Sequence, residues 1–158
     1  MPTGITFKME GLQELQKSLS ELPKNVFRSV VRSAMKQAAT LVRNAIVSEA
    51  PEKSGFLREH FDIKVKFERD GLAASAFIGP QGKVYYPKRG DKSKGVSTGK
   101  APKKGGVVPV ASVARFLEFG TSRAPAHPFM RPAFSKTAQA AMQVMVDALK
   151  AGLEKLKR

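Results

Sequence analysis

The side chains able to do acid-base, nucleophilic or metal chemistry are few in this sequence, and their spacing limits what they could do. There are two histidines, His60 and His127, and no cysteine. His60 sits beside Glu59 and Asp62, but a metal site needs three or four convergent ligands, so the expectation is a polar entrance to a hairpin. His127, between Ala126 and Pro128, is expected to hydrogen-bond backbone carbonyls rather than act as a base. No H-E-x-x-H, P-loop, G-x-S-x-G or Rossmann fingerprint occurs. No catalytic set can be assembled from these residues, so no enzyme, no metal and no cofactor is expected, and a hydrolase falls away as a candidate. The acid of most interest is Glu118. With Leu117 and Phe119 on either side it should be partly buried, and a buried carboxylate needs a cation or hydrogen-bond donors. Arg123 and Arg131 are near in sequence. A structural ion pair is the first expectation, and an intersubunit pair the second.

Glu118 belongs to a distinctive stretch, residues 113–134, VARFLEFGTSRAPAHPFMRPAF. The block Phe116-Leu117-Glu118-Phe119 ends at Gly120-Thr121, and Phe129, Met130 and Phe134 then sit among Pro125, Pro128 and Pro132. Each proline removes a backbone donor, fixes its own φ and pushes the preceding residue toward extended geometry. The segment is therefore neither an ordinary helix nor a central strand. It is either a rigid docking element or a structured connector that packs on its own domain.

The elements that must hold these residues are legible from periodicity. Leu12, Leu15, Leu19 and Leu22 mark the face of a first short helix closed by Pro23. Over residues 24–49, Phe27, Val30, Val31, Ala34, Ala38, Leu41, Val42, Ala45 and Ile46 form a continuous stripe at the 3.6-residue period. That helix would be about 39 Å long. Phe61, Ile63, Val65 and Phe67 alternate with Asp62, Lys64, Lys66 and Glu68, a half-buried strand. Asp70-Gly71 supplies turn chemistry, and residues 72–79 return as its partner, giving a β-hairpin packed on the long helix. A short extended return over residues 107–110 leads to a helix carrying Val113, Ala114 and Leu117. A last helix begins near Pro132 and places Phe134, Ala138, Ala141, Met145, Leu149 and Leu156 on one face. The fold class is α+β: a long N-terminal and a C-terminal helix packed on a small antiparallel sheet built around a β-hairpin.

Charge is the other strong signal. Lys+Arg number 28 against 13 Asp+Glu, a net charge of +15, which implies an acidic partner, nucleic acid or protein. Lys24, Arg28, Arg32 and Lys36 repeat every four residues on the solvent side of the long helix with no acid between them. Residues 80–106 form a Gly-, Lys- and Pro-rich cationic loop carrying Lys83, Lys88, Arg89, Lys100, Lys103 and Lys104, with Asp91 its one acid. Such a loop is expected to be disordered when free and ordered on assembly. Tyr85 and Tyr86 near its start are expected at a strand edge, with base stacking the alternative. Both basic sets are candidate contacts for nucleic acid or an acidic partner.

At 158 residues and 42% hydrophobic, the expectation is one domain over residues 1–158 with the flexible loop 80–106 inserted in it. No run approaches the roughly 20 apolar residues that cross a bilayer, so no membrane partner is expected, and nothing at the N-terminus resembles a secretion signal. The lack of cysteine excludes disulfides and thiolate sites and fits assembly in a reducing cytoplasm.

Two motifs occur together in a telling order. Ala50-Pro51 followed by Gly55-Phe56-Leu57-Arg58 resembles an A-P-x-x-x-G-x-L-R stretch, and residues 116–121 with 128–133 resemble an E-F-G-T … P-F-x-R-P-A signature. Both resemble the tail-component family of long-tailed bacteriophages, whose members are described as tail-completion or head-to-tail joining proteins. The resemblance covers roughly residues 12–149, and the basic loop looks longer than the family's usual connection there. It implies a small, non-enzymatic virion protein of the neck or upper tail, assembled in the host cytoplasm. It also implies a homo-oligomeric ring, neighbouring neck and tail proteins such as the connector and tail terminator, and DNA passing through the channel as a further partner. On this resemblance Glu118, Phe119, Gly120, Thr121, Pro128, Phe129, Arg131 and Pro132 are the candidate interface. The alternative is a sequence-independent nucleic-acid-binding protein whose charge is itself the function.

Overall fold

Two long antiparallel helices form the spine of the computed structural model, which describes residues 12–51, 55–69, 73–80, 84–85, 96–97 and 108–156. They are α2 (Lys24–Glu49) and α5 (Met130–Leu156), preceded by α1 (Leu12–Ser20) and separated in sequence by α3 (Phe56–Glu59), β1 (Phe61–Phe67), β2 (Ala74–Pro80), β3 (Val84–Tyr85), β4 (Val96–Ser97) and α4 (Val110–Phe119). The antiparallel sense is fixed at both ends. Lys136 Nζ donates to Glu49 Oε1 at 2.7 Å, and Gly152 lies so close to Val30 that a Cβ there would come within 2.7 Å of its Cγ1. Small residues permit this approach: Ala34, Ala38 and Ala39 on α2, and Ala133, Ala138 and Ala141 on α5, are buried.

The expected span of the long helix is the observed one. Pro23 stands at its N-cap, where a missing N–H costs nothing because the first-turn donors have no intrahelical partner. α1 ends at Ser20, two residues before the expected Leu22, and buries Leu15 with Ala34, Val146 and Leu149 in a cluster at the α2 N-terminal end. The larger core sits toward the other end, where Val42, Ile46, Phe56, Leu57, Phe61, Val84, Val110, Ala114 and Phe129 pack together.

β1 and β2 form an antiparallel ladder from Phe61↔Pro80 to Phe67↔Ala74, packed on α2. Phe61, Ile63, Val65 and Phe67 are buried or half-buried and Asp62, Lys64 and Lys66 exposed, as alternation requires. The returning strand starts at Ala74 rather than residue 72, and the Asp70-Gly71 turn lies outside the described residues. Within the segment expected to be a structureless loop, Val84 and Tyr85 pair with Ser97 and Val96, and Val84 is buried in the core. Tyr85 is thus a strand residue, as favoured over base stacking, and bridges to Pro109. Tyr86 lies outside the described residues.

The last helix starts at Met130, two residues before Pro132. Its apolar face does not bury throughout: Phe134 is 49% and Leu156 48% exposed. The Lys136–Glu49 pairing explains Phe134, because it sets residue 134 level with the end of α2, where no further turn of that helix remains to cover it.

Candidate functional site

Glu118 organises the junction between α4 and α5. It lies near the C-terminal end of α4 and is 1% exposed, the one buried charged residue among those described. Its Oε2 accepts from the backbone N–H of Phe129 and of Met130, each at 2.9 Å. Its Oε1 accepts from Arg131 N–H at 3.1 Å and from Arg131 Nε at 2.9 Å. A carboxylate from one helix therefore caps the N-terminal amides of another, where the donors are unsatisfied and the helix dipole is positive. Burial pushes the Glu118 pKa up. The bonds from Met130, Phe129 and Arg131 together outweigh that and hold it below the ordinary glutamate value.

The E-F-G-T turn beyond Glu118 is built to bring residues 129–131 to that carboxylate. Gly120 has φ +75°, and a Cβ there would sit 2.9 Å from Ala126 N and 3.1 Å from Ala124 O, so both its conformation and the close backbone approach require glycine. Thr121 Oγ1 accepts from the backbone N–H of Arg123 and Ala124 at 3.2 and 3.1 Å. His127 N–H donates to Leu117 O at 2.7 Å. His127 thus bonds a backbone carbonyl, and does so through its own main-chain N–H. Phe129 then drops its ring into the core, edge-on to Phe61 at 6.1 Å, and is 4% exposed.

The first motif does the complementary job on α2. Arg58 Nε and one terminal nitrogen donate to Ala50 O at 2.9 and 2.7 Å, and the latter nitrogen also reaches Ser48 O at 3.4 Å. A guanidinium thus holds the carbonyls at the negative end of α2. Gly55, with φ +66°, begins the short helix that carries Arg58 beside the buried Phe56 and Leu57. Arg43 Nε joins α2 to the hairpin by donating to Phe61 O at 3.0 Å. His60 Nδ1 donates to Phe56 O at 2.7 Å, a local structural role, and no group of three or more His, Asp or Glu able to hold a metal occurs among the described residues.

Of the candidate interface residues, Glu118 and Phe129 are turned inward, while Phe119, Thr121, Pro128, Arg131 and Pro132 are exposed. Arg123, the other cation weighed for Glu118, is exposed and Arg131 takes the pair. Arg131 Cζ also lies 5.1 Å over the Phe119 ring. Sequence reasoning named Phe119 here but missed Phe116 and Phe134 beside it. Phe119 is 64% and Phe116 43% exposed on one side of α4, and Phe134 stands one turn beyond Arg131 on α5. The signal was present, because residues 116 and 119 cannot share a helical face with the buried Ala114 and Glu118. Lys24, Arg28, Arg32 and Lys36 lie exposed on the N-terminal half of α2, about 20 Å or more along the helix from Glu49. The structure does not bring them to this site. Lys83, Lys88, Arg89, Lys100, Lys103 and Lys104 lie outside the described residues.

Fold and site together define a small α+β protein with a braced helix junction and aromatic side chains exposed around it. The family model described as "Bacteriophage HK97-gp10, putative tail-component" matches residues 13–120, and the chain belongs to this family. The match takes in the Ala50-to-Arg58 motif and ends at Gly120, just past Glu118; Thr121 and the Pro128-to-Ala133 half of the second signature lie beyond it. No curated protein and no solved structure matches the chain significantly. No described helix is long and apolar enough to cross a membrane.

Proposed function

We propose that this tail component is a non-enzymatic joining or completion protein of the head–tail interface, working as a ring in the neck or upper tail of the virion. The braced junction carries this reading. Glu118 fixes residues 129–131, Gly120 and the prolines leave the intervening segment little freedom, and Phe116, Phe119 and Phe134 stand exposed around it. A surface already ordered loses little conformational entropy on docking, and aromatic and arginine side chains dominate the energetics of protein contacts. Ring closure needs heterologous contacts, with this surface meeting a different patch on the next protomer or on the connector or tail-terminator neighbour. Assembly takes place in the host cytoplasm, before the virion leaves the cell.

Purified protein added to tail-less capsids or head-less tails tests the proposal, with particle mass and symmetry as the readout. The wild type should form closed particles and restore joining. Phe116→Ala/Phe119→Ala should fold with an unchanged circular dichroism spectrum and fail to join. A strictly monomeric wild type that associates with neither capsids nor tails would overturn the reading.

A further inference from the structure

The N-terminal half of α2 presents a surface of different chemistry from the aromatic junction. Asn25, Arg28, Ser29, Arg32, Ser33 and Lys36 line a shallow groove of about 440 Å³ on its exposed side, and Lys24 extends the row. No acid and no apolar side chain lines it. None of the four cations has a carboxylate partner among the described residues, whose ion pairs are Arg131–Glu118 and Lys136–Glu49. The guanidiniums are not simply hanging in solvent, because Arg28 Cζ and Arg32 Cζ lie 5.3 and 5.4 Å over the ring of Phe67, at the end of β1. A cation–π contact of this kind orients each arginine while leaving its N–H groups to face outward.

From this we infer that the α2 face binds the phosphodiester backbone of a nucleic acid, independent of sequence. The four cations recur at about 6 Å intervals along the helix axis, with hydroxyl and amide side chains between them, and these are the side-chain types that contact phosphate oxygens. An acidic protein is the poorer fit, since protein interfaces are built on a desolvated aromatic or aliphatic centre with charge at the rim, and this face has no such centre. Phosphates ask only for positioned cations and donors. Binding at this face does not depend on the joining role, so purified protein can test it separately from assembly.

The test is fluorescence anisotropy of a short labelled DNA duplex of mixed sequence, titrated with the full chain at graded potassium chloride. Arg28→Ala/Arg32→Ala should weaken binding by about 10-fold or more at low salt and make the log–log salt slope shallower by about 2, the loss of two phosphate contacts. Lys24→Ala/Lys36→Ala, which leaves the Phe67 contacts intact, should act in the same direction. Arg115→Ala/Arg123→Ala, an equal charge loss at exposed positions near the other end of the spine, should leave the slope unchanged. Phe67→Leu should weaken binding a few-fold at constant slope. Equal effects from the Arg115/Arg123 control and the α2 pairs would reduce the binding to net charge and overturn the site. Competition by polyglutamate as effective as that by unlabelled duplex would assign the face to an acidic protein instead.

Discussion

Replacing Glu118 by glutamine keeps the side chain's shape and removes its charge, and the local geometry sets the cost. The carboxylate accepts four hydrogen bonds, two on each oxygen: Phe129 and Met130 on Oε2, and the amide and Nε of Arg131 on Oε1. Glutamine offers one acceptor oxygen and one amide nitrogen that only donates. Whichever way it is turned, its NH₂ faces two N–H donors, so two charge-assisted bonds are lost. Each is worth about 1.5–3 kcal/mol when buried. The Arg131 contribution must be discounted because that side chain is 65% exposed and water screens and replaces it. The expected loss is therefore about 2–4 kcal/mol, or roughly 5–12 °C in Tm for a domain of this size.

Acid supplies a second readout. The folded pKa of Glu118 is depressed below the ordinary value of 4.5, so its stabilisation is full above that value and disappears as pH falls through the folded pKa. The gap between wild type and Glu118→Gln, measured by urea unfolding followed at 222 nm, should be constant near neutral pH and narrow below about 4.5. A variant within about 0.5 kcal/mol of wild type, inside the range of ordinary surface substitutions, would refute the capping argument. A gap that does not change on acidification would refute the charge assignment.

Two further substitutions probe the same junction. Gly120→Ala places a Cβ 2.9 Å from Ala126 N at a positive φ, where backbone must move, and should cost about 2 kcal/mol or more in urea unfolding. Arg58→Met keeps much of the side chain's bulk but frees the carbonyls of Ser48 and Ala50. It should cost about 1–3 kcal/mol, with hydrogen exchange accelerated first in the last turn of α2.

The helices and the hairpin were legible because each is written in local periodicity. The stripe from Phe27 to Ile46 and the alternation from Phe61 to Phe67 each identify an element and its buried face without knowledge of the partner. Glu118 was legible as a buried acid seeking a cation because it stands in an apolar block, although Phe119, one of the two flanking residues, is itself 64% exposed. Its principal partners were not, because they are backbone amides, which every residue but proline has and no sequence pattern marks. The exposure of Phe134 was hidden for a related reason. It falls on the helical face that buries Ala138 and Ala141, and what denies it a partner is where α2 ends in space. Arg28 and Arg32 were visible as charges, whereas their contacts with Phe67 join residues 39 and 35 positions apart and depend on how the hairpin lies on α2.

The two sequence motifs, far apart in the chain, solve one problem. An antiparallel helix pair sets the negative end of one dipole beside the positive end of the other. At this end of the spine, Arg58 holds the free carbonyls of α2, and Glu118 holds the free amides of α5. Each cap is delivered by a short helix begun or ended at a positive-φ glycine, Gly55 before α3 and Gly120 after α4. Helix ends ordinarily fray, and a frayed end cannot present Phe116, Phe119 and Phe134 in a fixed arrangement. Capping both ends at the same place holds the backbone beside these aromatics in one arrangement, while the opposite half of α2 has no side-chain cap on its first turn and carries an acid-free row of cations.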